Sequence, residues 1–92
     1  MKLQLEGIPQ RKEGFRLEVL DQEILLLHPV DGQIVQCNSA AGTVWQLCDG
    51  ARTIAEIVEL LRDAYPESAE SIETDVLAIL EELRTADVIS IH

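Results

Sequence analysis

The spacing of the apolar residues changes once along this chain, from a strand period to a helix period, near Asn38. Upstream of that point, apolar and polar residues alternate over 15–20, residues 24–27 form a continuous apolar run, and residues 33–37 return as a third strand after a turn signal. Alternation is typical of a strand with one buried face, and a short apolar run suits a central strand covered on both faces. The first half of the chain therefore predicts three strands, whereas the second half predicts helices.

Short polar segments separate the three strands. Asp21 and Gln22 mark the first turn. Asp31 and Gly32 mark the second, because both positions of an Asp-Gly pair tolerate a positive φ in a tight hairpin. The strands are therefore predicted to form an antiparallel meander.

Residues 1–14 precede this meander and are interrupted by two glycines and a proline. Such a composition predicts a mobile N-terminal lead-in, although residues 1–5 alternate and could pair as a strand. The length of 92 residues suits one domain. That domain is predicted to span residues 15–92.

The first two predicted helices carry clear boundary signals. Asn38 or Ser39 can cap the first helix, and Asp49-Gly50 ends it, with glycine as a left-handed C-cap. Thr53 and Glu56 form a capping box at the start of the second helix. Its buried stripe ends at Tyr65, and Pro66 stops the helix from continuing.

The third helix is predicted to follow a polar connection over 67–70 and to be capped by Ser71, with Glu73 and Asp75 in its first turn. Residues 88–91 alternate and predict a short final extended piece. The element order is then β-β-β-α-α-α. We predict an α+β fold of winged-helix-like type, in which a three-stranded antiparallel sheet precedes three helices.

The charge of the chain argues against several classes of partner. Seventeen acids and seven bases give a formal net charge of -10, which argues against binding to nucleic acid or to an anionic membrane surface. A DNA-binding winged-helix regulator remains the rival hypothesis, because the helical half has the right size. Its expected recognition helix is rich in acids, however, and these would meet the DNA phosphates.

No catalytic motif is present in the sequence. It has no glycine-rich phosphate loop, no GxSxG elbow and no HExxH motif. Cys37, Cys48, His28 and His92 do not form a metal-ligand set at a known spacing. We therefore predict a protein that is not an enzyme and has no cofactor and no metal. Two free thiols, the lack of an apolar signal segment and the lack of any run of about 18 apolar residues predict a cytoplasmic protein.

The last predicted strand has a free edge. It lies at 33–37, where Gln33 and Gln36 are polar but uncharged and no lysine or proline blocks pairing. A peptide could add there as a fourth strand, held by main-chain hydrogen bonds. The alternative is that this edge is short and is covered by the N-terminal segment or by the third helix.

The segment 37–50, CNSAAGTVWQLCDG, resembles the LNxxAxxIWxLxDG signature of PqqD-like proteins. The similarity continues through RTIAEI at 52–57, which is similar to the R-T-V-x-E-I of that family. It ends on the third helix, where Asp75-Val76, Leu80 and Leu83 resemble a D-V-x-x-x-L-x-x-L pattern. The resemblance covers residues 15–91.

The resemblance implies a RiPP recognition element, a module that binds the leader of a ribosomally made precursor peptide. In such modules the leader adds beside the third strand, in a cleft closed by the third helix. The module then presents it to a maturase, often a radical S-adenosylmethionine enzyme, or to a leader peptidase. The chain is therefore expected to be a stand-alone peptide-binding adaptor, a monomer or a weak dimer. A structural subunit of a maturase complex that does not touch the peptide is the second alternative.

Carried over by position, the resemblance implies a peptide site on one strand and one helix. The strand residues are Gln33, Ile34, Val35, Gln36 and Cys37. The helix residues are Asp75, Val76, Ile79, Glu82 and Leu83. Asp75 and Glu82 are assigned to polar or cationic groups of the leader, and Ile79 and Leu83 to apolar anchors. A role in the core alone is the alternative for Val76 and Leu83.

Two residues depart from the family pattern. Cys37 stands where the family usually has leucine, which bears on the pocket at the end of the third strand. Asp87 stands where glycine is usual, which bears on the turn after the third helix. The pathway that the peptide belongs to is left open.

Overall fold

The structure is a computed structural model that describes residues 3–92. Its elements are, in chain order, β1 (Pro9–Arg11), β2 (Arg16–Leu20), β3 (Glu23–His28), β4 (Gln33–Cys37), α1 (Ser39–Leu47), α2 (Ile54–Ala64), a 3-10 turn (Pro66–Ser68), α3 (Ala69–Thr85) and β5 (Ile89–Ile91). The predicted series of three strands and three helices is confirmed as β2 to α3. β1 is added before that series, and the final extended piece predicted at 88–91 is present as β5 (Ile89–Ile91).

The three-stranded sheet has the order β2-β3-β4, and both pairs are antiparallel. Asp21 and Gln22 form the loop between β2 and β3 with φ values of 49° and 71°, as a two-residue hairpin loop with right-handed strand twist requires. The predicted turn at this place is confirmed. β3 is the central strand, but only Leu26 is buried in it, so the sheet is not covered on both faces as predicted.

The second hairpin differs from the prediction. Residues 29–32 form a four-residue loop in which Gly32 has a φ of +72° and donates its N–H to the carbonyl oxygen of His28 at 2.7 Å. Asp31 does not adopt a positive φ. The prediction of a tight two-residue turn at Asp31-Gly32 is therefore wrong. Pro29 has no N–H to continue the ladder, so β3 ends at His28 and the loop is longer.

A second, two-stranded sheet pairs β1 with β5, from Pro9 opposite Ile91 to Arg11 opposite Ile89. This pairing is not predicted from the sequence. The mobility expected for residues 1–14 stays a prediction, and the hydrogen bonds of Ile8 and Arg11 weigh against it for this part of the segment. Residues 3–5 are not in a strand. Residues 1–2 of the strand suggested for 1–5 lie outside the described residues.

The hydrophobic core lies between the helices and the inner face of β3. α1 and α2 both pack against α3. The largest fully buried aliphatic side chains include Leu26, Ile54, Ile57 and Leu80. Trp45 of α1 is also buried, and its indole Nε1–H donates to the carbonyl oxygen of Val88 at 3.2 Å. This bond ties α1 to the segment that leads into β5.

The first two helices begin as predicted. The side-chain oxygen of Asn38 accepts a hydrogen bond from the Ala41 N–H at 2.8 Å and caps α1. Thr53 and Glu56 form the predicted capping box of α2. These caps satisfy N–H groups that have no partner within the helix.

The third helix begins earlier than predicted. Pro66 opens the 3-10 turn, and the backbone passes directly from that turn into α3 at Ala69. Ser71 is therefore inside the helix rather than at its cap, and its hydroxyl donates to the carbonyl oxygen of Ser68. The fixed φ of proline prepares a helical start, so the predicted polar connection over 67–70 is wrong.

The end of α3 accommodates an unusual residue. Asp87 has a φ of +64° and lies 3.1 Å from the Nζ of Lys12. Aspartate is one of the few residues besides glycine that enters the left-handed region. The turn therefore forms although the glycine usual in similar sequences is replaced. No helix within residues 3–92 is long and apolar enough to cross a membrane.

Candidate functional site

The outer edge of β4 has no strand partner among residues 3–92. β4 pairs with β3 on one side only, because the sheet order ends there. The N-terminal segment does not cover this edge, since β1 pairs with β5 in the other sheet. A row of backbone N–H and C=O groups is therefore available for pairing with another chain.

The side chains of β4 alternate between two faces. Val35 and Cys37, opposite Leu26 and Ile24 of β3, pack against the hydrophobic core. Ile34 lies on the outer face and is 64% exposed. A chain that paired with the free edge of β4 would therefore lie next to the inner-face side chains of this strand.

A hollow of about 560 Å³ lies between β4 and the C-terminal half of α3. We call it the strand groove. It is lined by Val35, Gln36 and Cys37 of β4, by Glu82, Leu83 and Ala86 on the α3 side, by Asn38 and Ala41 at the start of α1, and by Gln22 and Glu23. The free edge therefore has open space beside it and is not covered by the third helix, which was the alternative.

A second hollow of about 360 Å³ lies along the N-terminal half of α3. We call it the helix hollow. It is lined by Ile72, Asp75, Val76 and Ile79 of α3, by Ser39, Ala40, Thr43 and Val44 of α1, and by Leu61 and Tyr65. Its walls are mainly apolar, and Asp75 is its only charged residue.

The ten predicted site residues are distributed over three places. Val35, Gln36, Cys37, Glu82 and Leu83 meet in the strand groove. Asp75, Val76 and Ile79 line the helix hollow instead. Gln33 and Ile34 lie at the other end of β4, in a small hollow beside the second hairpin. Val76 and Leu83 are 2% and 3% exposed and belong to the core, so they form the floors of the hollows.

Several residues of the two hollows were not predicted as site residues from the sequence. Glu23 and Asn38 flank the strand groove, and Tyr65 and Ile72 form part of the helix hollow. The sequence predicts Tyr65 on the buried stripe of α2, but this side chain is 50% exposed because the residue follows the last helical residue. Its position directly before a proline is the signal that could have located it, since that residue is driven out of the helical region.

The electrostatics of both hollows favour a cationic ligand. Glu23 and Glu82 line the strand groove, Asp75 lines the helix hollow, and no lysine or arginine lines either. Among residues 3–92, none of these three carboxylates has an ion-pair partner. A basic side chain that entered either hollow would therefore find an unpaired acid.

Neither thiol is activated as a nucleophile in this structure. Burial raises the pKa of the Cys37 thiol, and it raises the pKa of Cys48 to about 12. A neutral thiol is much less reactive than a thiolate. Within residues 3–92, no cluster of three His, Cys, Asp or Glu side chains has the arrangement that a metal ion needs.

The sequence is similar to those of known proteins. The model of the family "Coenzyme PQQ synthesis protein D (PqqD)" matches residues 23–89. A "PqqA binding protein" of Azotobacter vinelandii is 42% identical over 90 residues, which cover 96% of this chain and 95% of that one. A "PqqA binding protein" of Pseudomonas aeruginosa is 38% identical over 79 residues, which cover 84% and 83%.

A solved structure shares the fold. It is described as "TbiB1 in Complex with the TbiA(beta) Leader Peptide", and it matches with a TM-score of 0.68 over 88% of this chain and 94% of that one. The sequence identity is 20%, so this likeness concerns the fold alone. It confirms the α+β arrangement of a three-stranded sheet followed by three helices.

Proposed function

This chain belongs to the PqqD family, and we propose that it captures the leader segment of a ribosomally made precursor peptide and presents it to a modifying enzyme. The peptide pairs with β4 as a fourth strand of the β2-β3-β4 sheet and lies in the strand groove. The chain acts as an adaptor and catalyses no step of the modification itself.

The free edge of β4 beside α3 is the observation that carries this proposal. Backbone groups on such an edge supply affinity for any extended chain, and the neighbouring pockets supply specificity. The names of the relatives support the same function, because those proteins are described as binding PqqA. The protein with the shared fold was solved with a leader peptide.

We propose the ten residues of β4 and α3 as the peptide site, with different roles. The backbone of residues 33–37 pairs with the peptide. Asp75 and Glu82, exposed and without ion-pair partners, attract its basic side chains. Ile79 contacts an apolar side chain of the peptide. Leu83 and Val76 shape the floor beneath it from within the core.

The partner enzyme is proposed by class. A radical S-adenosylmethionine maturase or a leader peptidase would receive the captured peptide. We expect the adaptor to act in the cytoplasm, where two free thiols persist in reduced form. We also expect a monomer or a weak dimer, because a free edge can pair with a second copy.

Two alternatives make different predictions. A winged-helix DNA regulator would need α3 to approach phosphates, yet its exposed residues include Asp75 and Glu82, which the phosphates repel. A structural subunit of a maturase complex would bind its enzyme and ignore the peptide. A gel shift at low salt tests the first alternative, and co-purification without peptide affinity would indicate the second.

The test is a titration of the ¹⁵N-labelled chain with two synthetic probes, the PqqA peptide of Azotobacter vinelandii and the TbiA(beta) leader peptide. We expect at least one of them to bind with micromolar or tighter affinity and to shift amide resonances of 33–37 and α3. A PqqA peptide of scrambled sequence is the control. If neither probe moved an amide resonance in these two elements, the proposal would be wrong.

A further inference from the structure

The peptide site predicted from the sequence is divided in the structure, and this division carries a further inference. Asp75 and Ile79 of α3 do not reach the strand groove, because they line the helix hollow on the preceding turns of the same helix. A peptide that only paired with β4 would leave the helix hollow empty. A second binding compartment therefore stands next to the first.

The two hollows adjoin along two elements. On α3, Ile79 lines the helix hollow and Glu82, one turn later, lines the strand groove. On α1, Ala40 lines the helix hollow and its neighbour Ala41 lines the strand groove. The two alanines have small side chains, so neither projects far from α1 at the place where the hollows adjoin. The helix hollow is therefore the next compartment that an extended chain would meet after leaving β4 at Cys37.

The helix hollow is suited to an apolar side chain. Tyr65 is 50% exposed, Ile72 and Ile79 are half-buried, and Val44 and Leu61 close the floor. Apolar surface that is exposed to water is unfavourable, so covering this patch with an apolar side chain would stabilise the complex. The volume of about 360 Å³ suits one or two side chains rather than a helix or strand of a folded partner.

Charge selects the same occupant. Asp75 stands at the rim of the helix hollow as its only charged residue, with no ion-pair partner among residues 3–92. Glu23 and Glu82 carry the same sign in the strand groove. One chain bearing basic residues satisfies both compartments at once.

We propose that the helix hollow binds the flank of the precursor peptide that extends past the Cys37 end of β4, through one apolar side chain with a basic residue near it. This inference rests on the proposed function and deepens it, because it gives Asp75 and Ile79 their contacts with the peptide outside the strand groove. From Leu83 to Ile72 along α3 the rise is about 16 Å at 1.5 Å per residue. An extended flank covers that distance with about five residues at 3.3 Å each.

The test combines variants of the chain with nested truncations of the synthetic PqqA peptide from both ends. Tyr65→Ala should lower the affinity for the full peptide by about tenfold, because the aromatic surface that the peptide would bury is removed. Asp75→Asn should lower the same affinity by about threefold, and by more at low salt. Both effects should disappear when truncation from one end removes the flank.

Matched controls are available on the outer side of α2. Leu60→Ala removes an exposed apolar side chain and Asp63→Asn removes an exposed charge, and neither residue lines a hollow. Both controls should bind the full peptide as the parent chain does. Thermal unfolding of each variant separates a loss of folding from a loss of binding.

The outcomes distinguish this inference from the proposed function. Peptide binding that Tyr65→Ala and every truncation beyond the strand-paired stretch leave unchanged would overturn the helix hollow as a peptide site and leave the strand groove intact. A variant that weakened only self-association, or only binding of a partner enzyme, would overturn it as well. Failure of every peptide to bind the parent chain would count against the proposed function itself.

Discussion

Glu23 at the start of β3 and Glu82 on α3 line the same groove, and neither carboxylate has an ion-pair partner among residues 3–92. Two like charges facing one open space raise the negative potential there. A basic side chain placed between them would relieve that repulsion. The acidic charge of the chain, which argues against nucleic-acid binding, thus includes two unpaired carboxylates that face this groove.

Reversing the charge of one of these residues should weaken peptide binding. We expect Glu82→Lys to lower the affinity for the synthetic PqqA peptide by about tenfold, because it replaces an attraction with a repulsion in a partly enclosed groove. The loss should shrink at high salt. Isothermal titration at two salt concentrations measures both effects.

Glu13→Lys is the matched control, since this exposed residue lines neither groove nor hollow and undergoes the same charge change. An equal loss of affinity in both variants would mean that the net charge, rather than Glu82, attracts the peptide.

Strand addition on β4 predicts a periodic response to changes in the peptide backbone. Successive residues of a strand direct their N–H groups to opposite sides. N-methylation of single residues in the synthetic PqqA peptide should therefore weaken binding at every second position of the paired stretch and leave the positions between them nearly unaffected. A helical mode of binding would give no alternation, and a scan of affinities by fluorescence anisotropy decides between the two.

Cys37 offers a chemical probe of the strand groove. It is half-buried and lines the groove, whereas Cys48 is fully buried. We expect N-ethylmaleimide to modify Cys37 first and a saturating peptide to slow that modification severalfold, as followed by intact mass. Cys48 should react only under unfolding conditions. Equal rates with and without bound peptide would place the peptide elsewhere.

The turn after α3 should respond to substitution at Asp87 through the backbone. Both Asp87→Gly and Asp87→Ala remove the ion pair with Lys12, which is exposed and contributes little. Only alanine keeps a Cβ at the φ of +64°, so the glycine variant should be more stable than the alanine variant by about 1 kcal/mol. Urea unfolding of the two variants measures this difference, and equal stabilities would refute the assignment of strain.

Asp49 should make the fold sensitive to acid. The backbone N–H groups of Arg52 and Ala51 donate to its carboxylate at 2.9 Å and hold its pKa below the ordinary value of 3.8. A carboxyl with a lowered pKa in the folded state contributes stability above its unfolded pKa and loses it as pH falls through the folded value.

The free energy of unfolding should therefore decline as the pH falls below about 4, and it should decline less in Asp49→Asn than in the parent chain. Chemical denaturation at a series of pH values tests this expectation. The same acid slope in both proteins would show that other carboxylates dominate.

Local signals in the sequence predicted most of the fold. The strand at 33–37 is predicted with its observed bounds, because a local turn signal at Asp31-Gly32 precedes it and a helix cap at Asn38 follows it. The caps at Asn38 and Thr53 are equally local. The pairing of β1 with β5 joins residues about eighty positions apart in the chain, and no short-range pattern records such a partner.

The candidate site was predicted in part for the same reason. The free edge follows from strand order alone, and the structure shows it free. The spacing of Asp75, Ile79 and Glu82 gives one side of a helix. Spacing does not reveal what lies opposite each turn, which is β4 beside Glu82 and α1 beside Asp75. The division into two hollows therefore emerged only in three dimensions.

The pairing of β1 with β5 has a consequence for how this module can be joined to an enzyme. Ile8 and His92 exchange two backbone hydrogen bonds, at 2.9 and 3.0 Å. A covalent tether attached before the first strand or after the last one would thus start from nearly the same point in space. Fusion of this module upstream or downstream of a catalytic domain would then hold a bound peptide at a similar effective concentration. The order of the two domains in such a fusion would have little effect on how often the peptide meets the catalytic domain.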